Sequence, residues 1–192
     1  MYILKEYLEH QGIIVSKELA ENLKAFKPVT LSKGAFFQKE GAVCKKIAFL
    51  SKGKIRHFYN IDGKEHTRWV SFENTFVTSF ASFIDQQAGF DTLECIEPCE
   101  LYVASREDFL ALRNTFSEIS RLWTQALENE MIGYEHRVFQ LISNDAEKRY
   151  INLLQLHPQF ILEIPQKYVA SMLGIEPRHL SRIRKKIAAK QK

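Results

Sequence analysis

Ile164-Pro-Gln-Lys-Tyr-Val-Ala-Ser-Met-Leu-Gly174-Ile-Glu-Pro-Arg-His-Leu-Ser-Arg-Ile-Arg-Lys-Lys-Ile187 reads as two short helices about a tight turn. Pro165 suits a first helical position, and Val169, Met172 and Leu173 form an apolar face. Ala170 is small enough for a partner helix to approach closely. Gly174 can take the positive φ that ends a helix sharply, and Pro177 can open the next one. This is helix-turn-helix grammar. At about 100° per residue, Leu180, Ile183 and Ile187 share one side of the second helix. Arg178, Arg182 and Lys185 lie roughly opposite, flanked by Ser181 and Lys186. One face can pack on the protein while the other offers long cationic donors, which suits a DNA major groove. Arg178, Arg182 and Ser181 are therefore the expected base readers, with Arg184, Lys185 and Lys186 on phosphates. A solvated basic helix is the competing reading.

Charge works outward from the same stretch. The chain has 192 residues and a formal charge of +4. From Ser143 onward there are ten Lys/Arg and four Asp/Glu, a balance of +6, which leaves −2 for everything before it. Basic charge concentrated on one module is the electrostatic footprint expected for nucleic acid. There is no run of about 20 apolar residues, so no transmembrane helix is expected. The N-terminus lacks a signal-peptide core, which points to a cytoplasmic protein. Cys44, Cys95 and Cys99 are odd in number and match no metal-ligand spacing, so reduced, buried thiols and no metal are expected.

Residues 1–26 carry apolar positions at helical spacing, broken at Gly12, with Ser16 as an N-cap and Pro28 as a stop. From Val29 to about Arg106 the texture becomes short β-rich runs. Residues 47–50, 54–61, 64–72, 92–96 and 101–103 read as strands, and Asp62-Gly63 signals a two-residue hairpin. Several short strands at this spacing indicate a jelly roll, or double-stranded β-helix. Residues 106–113 form a short helix, and a long one runs from Ser117 to about Ile142. Its positions Leu127, Met131, Tyr134, Val138 and Leu141 follow the 4-3-4-3 seam of a helix that pairs with another. Packing over the roll is the alternative for that stripe. A further helix spans Ala146 to about Leu156, ended by His157-Pro158. The fold class is α+β: a roll with N-terminal helices over 1–116, a dimerisation helix over 117–143 and a helix-turn-helix domain over 144–192.

This order of parts resembles the Crp/Fnr family of bacterial transcription regulators. In the roll the likeness rests on Gly34, Gly41, Gly53 and Asp62-Gly63-Lys64-Glu65. In the last module it rests on Ala170-Ser-Met-Leu-Gly-Ile175 and Leu180-Ser-Arg182. The resemblance implies a cyclic-nucleotide-binding-like roll and a homodimer on palindromic double-stranded DNA, with RNA polymerase a further candidate partner. It also exposes departures. The family's Gly-Glu pair for ribose is matched by Val77-Thr78, and its Arg-Ser/Thr pair for the cyclic phosphate by Gly89-Phe90. A buried phosphate without a cationic partner costs several kcal/mol, so no tight cyclic-AMP binding is expected. The family's iron–sulfur sensors need N-terminal cysteines, and here the first is Cys44. His57 or His66 could ligate haem, although a lone strand histidine is more often a core or surface residue; no cofactor is expected. In the reading helix Pro177-Arg178 replaces the usual Arg-Glu, which predicts a divergent operator. The chain ends five residues past Ile187, so the fold is expected to be winged-helix-like with the wing missing.

The expected function is a sequence-specific, homodimeric DNA-binding regulator whose small-molecule effector is unknown or absent. The alternative is a small-molecule sensor acting through protein contacts, with only weak nonspecific DNA binding. Any effector is expected between roll and long helix, near Phe76, Thr78, Ser79, Phe90, Thr92, Trp123 and Leu127, unless those residues simply fill the core. No Walker loop, GxSxG, HExxH or GxGxxG occurs, so the chain does not read as an enzyme.

Overall fold

The computed structural model describes residues 2–190. These divide into two compact units, residues up to 65 with 69–126, and residues 66–68 with those from 127 on.

The first unit opens with α1 (Tyr2–His10), α2 (Lys17–Asn22) and a 3-10 turn, Leu23–Ala25. Ser16 caps α2 by accepting from the Leu19 N–H at 3.1 Å. The strands are β1 (Lys27–Leu31), β2 (Phe36–Gln38), β3 (Lys46–Lys52), β4 (Ile55–Ile61), β5 (Lys64–Ser71), β6 (Thr75–Val77), β7 (Thr92–Cys95) and β8 (Cys99–Ser105). They make two four-stranded sheets, ordered β1-β8-β3-β6 and β2-β7-β4-β5. Alternation along the strands fills the roll: Ala48 and Leu50 from β3, Ile55 from β4, Leu93 and Cys95 from β7, and Leu101 from β8 join one buried cluster. The intervening Phe49 and its register partner Phe76 point the other way, toward α1, with the Tyr7 ring 4.9 Å from Phe49. The Asp62-Gly63 turn between β4 and β5 has φ of 52° and 78°, as a type I′ hairpin requires.

In this unit three strands and one helix have no counterpart in the sequence reading. β2 and β6 are three residues each, too short to display an alternation. β1 lies at a sheet edge, where Pro28 is tolerated because its missing N–H faces no ladder. Between β6 and β7 sits α3 (Phe80–Asp85), closed by Gln86 in the left-handed conformation at φ 58°. After β8 come α4 (Arg106–Thr115) and the long α5 (Ser117–Ser143). Trp123 on α5 packs with Phe80, Phe83 and Phe109, its ring centroid 5.1 Å from that of Phe109.

The second unit holds the end of α5 and then α6 (Ala146–Leu156), α7 (Pro158–Glu163), α8 (Gln166–Met172) and α9 (Pro177–Lys190). Asp145 caps α6 through the Lys148 N–H at 2.8 Å. Beyond the stop read at His157-Pro158, residues 158–163 are helical again, with Pro158 in the first turn. Pro165 stands one position outside α8: its carbonyl accepts from Tyr168 and Val169 while its own backbone is extended. Among the described residues no helix is long and apolar enough to cross a membrane.

Candidate nucleic-acid interface

The turn between α8 and α9 is built by a closed cap. Gly174, at φ 68°, donates its N–H to the Ser171 carbonyl, and Ile175 donates to Ala170, both at 3.0 Å. This paired pattern is a Schellman motif, and it needs the left-handed residue that glycine supplies without strain. Ala170 is fully buried, so α9 can cross close to α8. Leu180 and Ile183 anchor α9 in the module's core.

Anchoring on that side fixes what the other side presents. Arg178, Ser181, Arg182, Lys185 and Lys186 are exposed, and Arg184 is half-buried beside the packed stripe. The predicted base readers therefore share one solvent face, and Arg184 stands apart from it. Lys186 is engaged as well: its ammonium donates to the Glu147 carboxylate of α6, which raises its pKa above the ordinary lysine value. Among the described residues, Lys185 makes no such pair with α6. Arg149, which shares the basic stretch Lys148-Arg149, points inward instead. Its Nε donates to the Leu173 carbonyl at 3.0 Å and its Nη1 to the Asn144 carbonyl at 2.6 Å.

Of the seam on α5, Leu127 is half-buried while Met131, Tyr134, Val138 and Leu141 are exposed, with Ile132, Phe139 and Ile142 beside them. A helix carrying so many exposed large apolar residues presents a surface rather than a packed stripe.

Of the residues predicted around an effector, Thr78, Ser79 and Thr92 lie in one buried polar group, whereas Phe76, Phe90 and Trp123 stand in three separate places. Phe76 belongs to an aromatic cluster with Tyr7, Phe26 and Phe49, on the sheet face away from the roll interior. Trp123 sits in the α3–α4–α5 cluster described above, and Phe90 is 64% exposed beside Tyr59. Thr78, Ser79 and Thr92 are buried but already engaged. Thr78 donates to the Lys46 carbonyl at 3.0 Å, Ser79 donates to the Asp91 carboxylate, and Thr92 accepts from the Glu40 N–H at 3.2 Å. Around them Ser82 accepts from the Cys44 N–H at 2.9 Å and Gln86 donates to the Cys44 carbonyl at 3.0 Å. Gly89 pairs with the opposite loop, donating to Ala42 at 3.1 Å and accepting from Gly41 at 2.7 Å. A Cβ at Gly89 would stand 3.2 Å from the Ser79 hydroxyl and 3.3 Å from Ser82 Cβ, so a side chain at the position aligned with the family's arginine would press on both serines.

His57, one of the two candidate haem ligands, is buried against Ser71 at 2.9 Å. Asp91 escaped the sequence reading, although alternation with Leu93 and Cys95 places it inward. Cys44, Cys95 and Cys99 are all buried and free. A hydrogen bond with Cys99, and after it burial, push the Cys95 thiol up, and the same bond holds Cys99 down.

Residues 28–116 match the family described as the cyclic nucleotide-binding domain. No curated protein matches the chain by sequence. Solved structures do. A CooA mutant from Carboxydothermus hydrogenoformans superposes with a TM-score of 0.76 at 16% identity, covering 91% of this chain and 82% of that one. FixK2 from Bradyrhizobium japonicum gives 0.74 at 12% identity, over 86% of each chain. The c-di-GMP-responsive global regulator CLP from Xanthomonas campestris gives 0.70 at 16% identity, over 92% and 93%.

Proposed function

We propose that this chain, which matches the cyclic nucleotide-binding domain over residues 28–116 and is similar in fold to Crp/Fnr transcription regulators, is a homodimeric, sequence-specific DNA-binding regulator. The observation that carries the proposal is the split of α9: Leu180 and Ile183 buried, Arg178, Ser181, Arg182 and Lys185 exposed on the opposite face. Arg178 and Arg182 read base edges, Ser181 assists, and Lys185 holds phosphate. Lys186 and Arg184 are subordinate, the first because Glu147 competes for it, the second because half of it is covered. The exposed residues of the second half of α5 supply the two-fold contact, so α9 works in pairs on a palindrome with half-sites about one helical turn apart.

Cyclic AMP is not the effector in this reading. The hydroxyls of Thr78, Ser79 and Thr92 are engaged with Lys46, Asp91 and Glu40, the Asp91 carboxylate is buried among them, and a Cβ at Gly89 would crowd Ser79 and Ser82. In-vitro selection from random duplexes tests the function. The expected result is a symmetric motif whose preference relaxes at particular positions in Arg178→Ala, with a cost of about 1–3 kcal/mol. Absence of enrichment, with steeply salt-dependent binding to any duplex, would instead support a sensor that signals through protein contacts.

A further inference from the structure

Arg149 sits in the first turns of α6 and faces the ends of two other helices. Leu173 is the C-cap residue of α8, and Asn144 follows the last residue of α5. Both carbonyls are among the backbone acceptors that a helix end leaves without an intrahelical donor. Both also lie at the negative end of a helix dipole. One guanidinium therefore satisfies the two ends at once, through Nε at 3.0 Å and Nη1 at 2.6 Å. The planar fork suits this task because its donors are fixed relative to one another, which an ammonium on a flexible stem does not reproduce. A second contact ties the same places together. A Cβ at Gly174 would lie 3.8 Å from Leu141 Cδ2, so the last turns of α5 border the turn that launches α9. The Asp145 cap on Lys148 holds the short link between α5 and α6 in place beneath the arginine.

We infer that Arg149 is the positioning residue of the reading helix, setting the angle of α9 against the end of α5 by clamping the Leu173 and Asn144 carbonyls together. The inference rests on the DNA-reading proposal for its functional consequence, and on the two hydrogen bonds for its structural one. Its basic charge does not serve phosphate. A change at the α5–α6 junction reaches α9 through this guanidinium, because the junction carbonyl and the turn carbonyl are held by one rigid group.

The test uses the full chain, a duplex selected by the wild type and a random-sequence duplex of equal length. Arg149→Gln is expected to weaken the selected duplex about tenfold and leave the random duplex within about twofold, with an unchanged salt slope. Arg149→Lys keeps the charge without the fork and should show the same split at smaller amplitude, which also serves if the Gln variant does not fold. Equal weakening of both duplexes with a slope flatter by about one, rescued in the Lys variant, would make Arg149 a phosphate contact and overturn the inference. Amide exchange at Gly174 and Ile175 reads the clamp without DNA. Faster exchange in Arg149→Gln supports it even where the wild type selects no sequence, an outcome that would sink the DNA reading alone. Unchanged exchange overturns it.

Discussion

Ser79, at the N-cap of α3, donates its hydroxyl to the carboxylate of Asp91, and both side chains are buried inside the roll. An anionic ligand entering here would meet a carboxylate of its own sign, with a glycine at the position aligned to the family's arginine. Cyclic AMP and cyclic GMP at saturating concentration are therefore expected to leave the melting temperature unchanged. Ser79→Ala removes the donor to a buried charged acceptor and should destabilise the roll by about 1.5–3 kcal/mol in urea titration. A large stabilising shift with either nucleotide would contradict this account of the segment.

Gly53 tests the roll's tightest corner. It adopts φ 98°, and a Cβ there would sit 2.5 Å from the Pro98 carbonyl oxygen and 2.8 Å from Cys99 Sγ. Gly63, at φ 78°, has nothing within 4 Å of the equivalent position. Gly63→Ala should cost about 1 kcal/mol from backbone strain alone, and Gly53→Ala clearly more, about 3 kcal/mol or above. Denaturant midpoints of the two variants give the comparison, and equal values would mean that the Pro98 turn yields freely.

These contrasts mark what could be read from residues alone. The Asp62-Gly63 hairpin, the Gly174 cap and the two faces of α9 were legible because each is decided within a few residues by sterics or by helical period. Phe76 could be assigned only to a pocket or to the core, for the opposite reason. Its strand is three residues long, and only pairing with Phe49 shows that it turns toward α1 rather than into the roll. Arg149 counts only toward the module's basic charge in the sequence, because charge is visible there and direction is not. Its two carbonyl partners lie 24 and 5 residues away. Asp91 is legible in hindsight from its alternation with Leu93, yet nothing local announces Ser79 as its donor.

The exposed apolar face of α5 predicts the assembly state. Met131 and Val138 are 67% and 54% exposed, and each lies on the 4-3-4-3 seam. Charge at both, in Met131→Glu/Val138→Glu, should leave the fold intact because neither side chain is packed in the chain itself. The double variant is expected to sediment as a monomer while the wild type sediments as a dimer, and to lose affinity for the symmetric duplex. Two species of equal mass would remove α5 as the two-fold contact.

His157 links α6 to α7 with its ring edge-on to Phe160, centroids 5.8 Å apart. Burial lowers its pKa below the ordinary 6.5 because the charged form loses hydration. The unfolded chain then binds the proton more readily than the folded one. Its contribution is fully present above 6.5 and is lost as pH falls through the depressed folded value. Thermal melts between about pH 5 and about pH 8 should show the wild type losing stability on the acid side. His157→Gln should flatten that dependence, and a variant as acid-sensitive as the wild type would assign the effect to other groups.

Glu147 bears on how much of the basic face is free for DNA. Its carboxylate accepts from Lys186, and both lie on the exterior of the module, α6 beside α9. The pairing holds a cation that would otherwise contribute to counterion release. Lys186→Ala should therefore change the salt dependence of duplex binding little, whereas Lys185→Ala should flatten the slope of log K against log salt by about one. Glu147→Gln should work in reverse, raising affinity for any duplex and steepening the slope by about one, with sequence preference unchanged because Arg178 and Arg182 are untouched. Fluorescence anisotropy across a salt series measures all three. If Lys186→Ala flattened the slope as much as Lys185→Ala, Lys186 would exchange Glu147 for phosphate on binding, and the carboxylate would be a competitor displaced at the interface rather than a standing restraint.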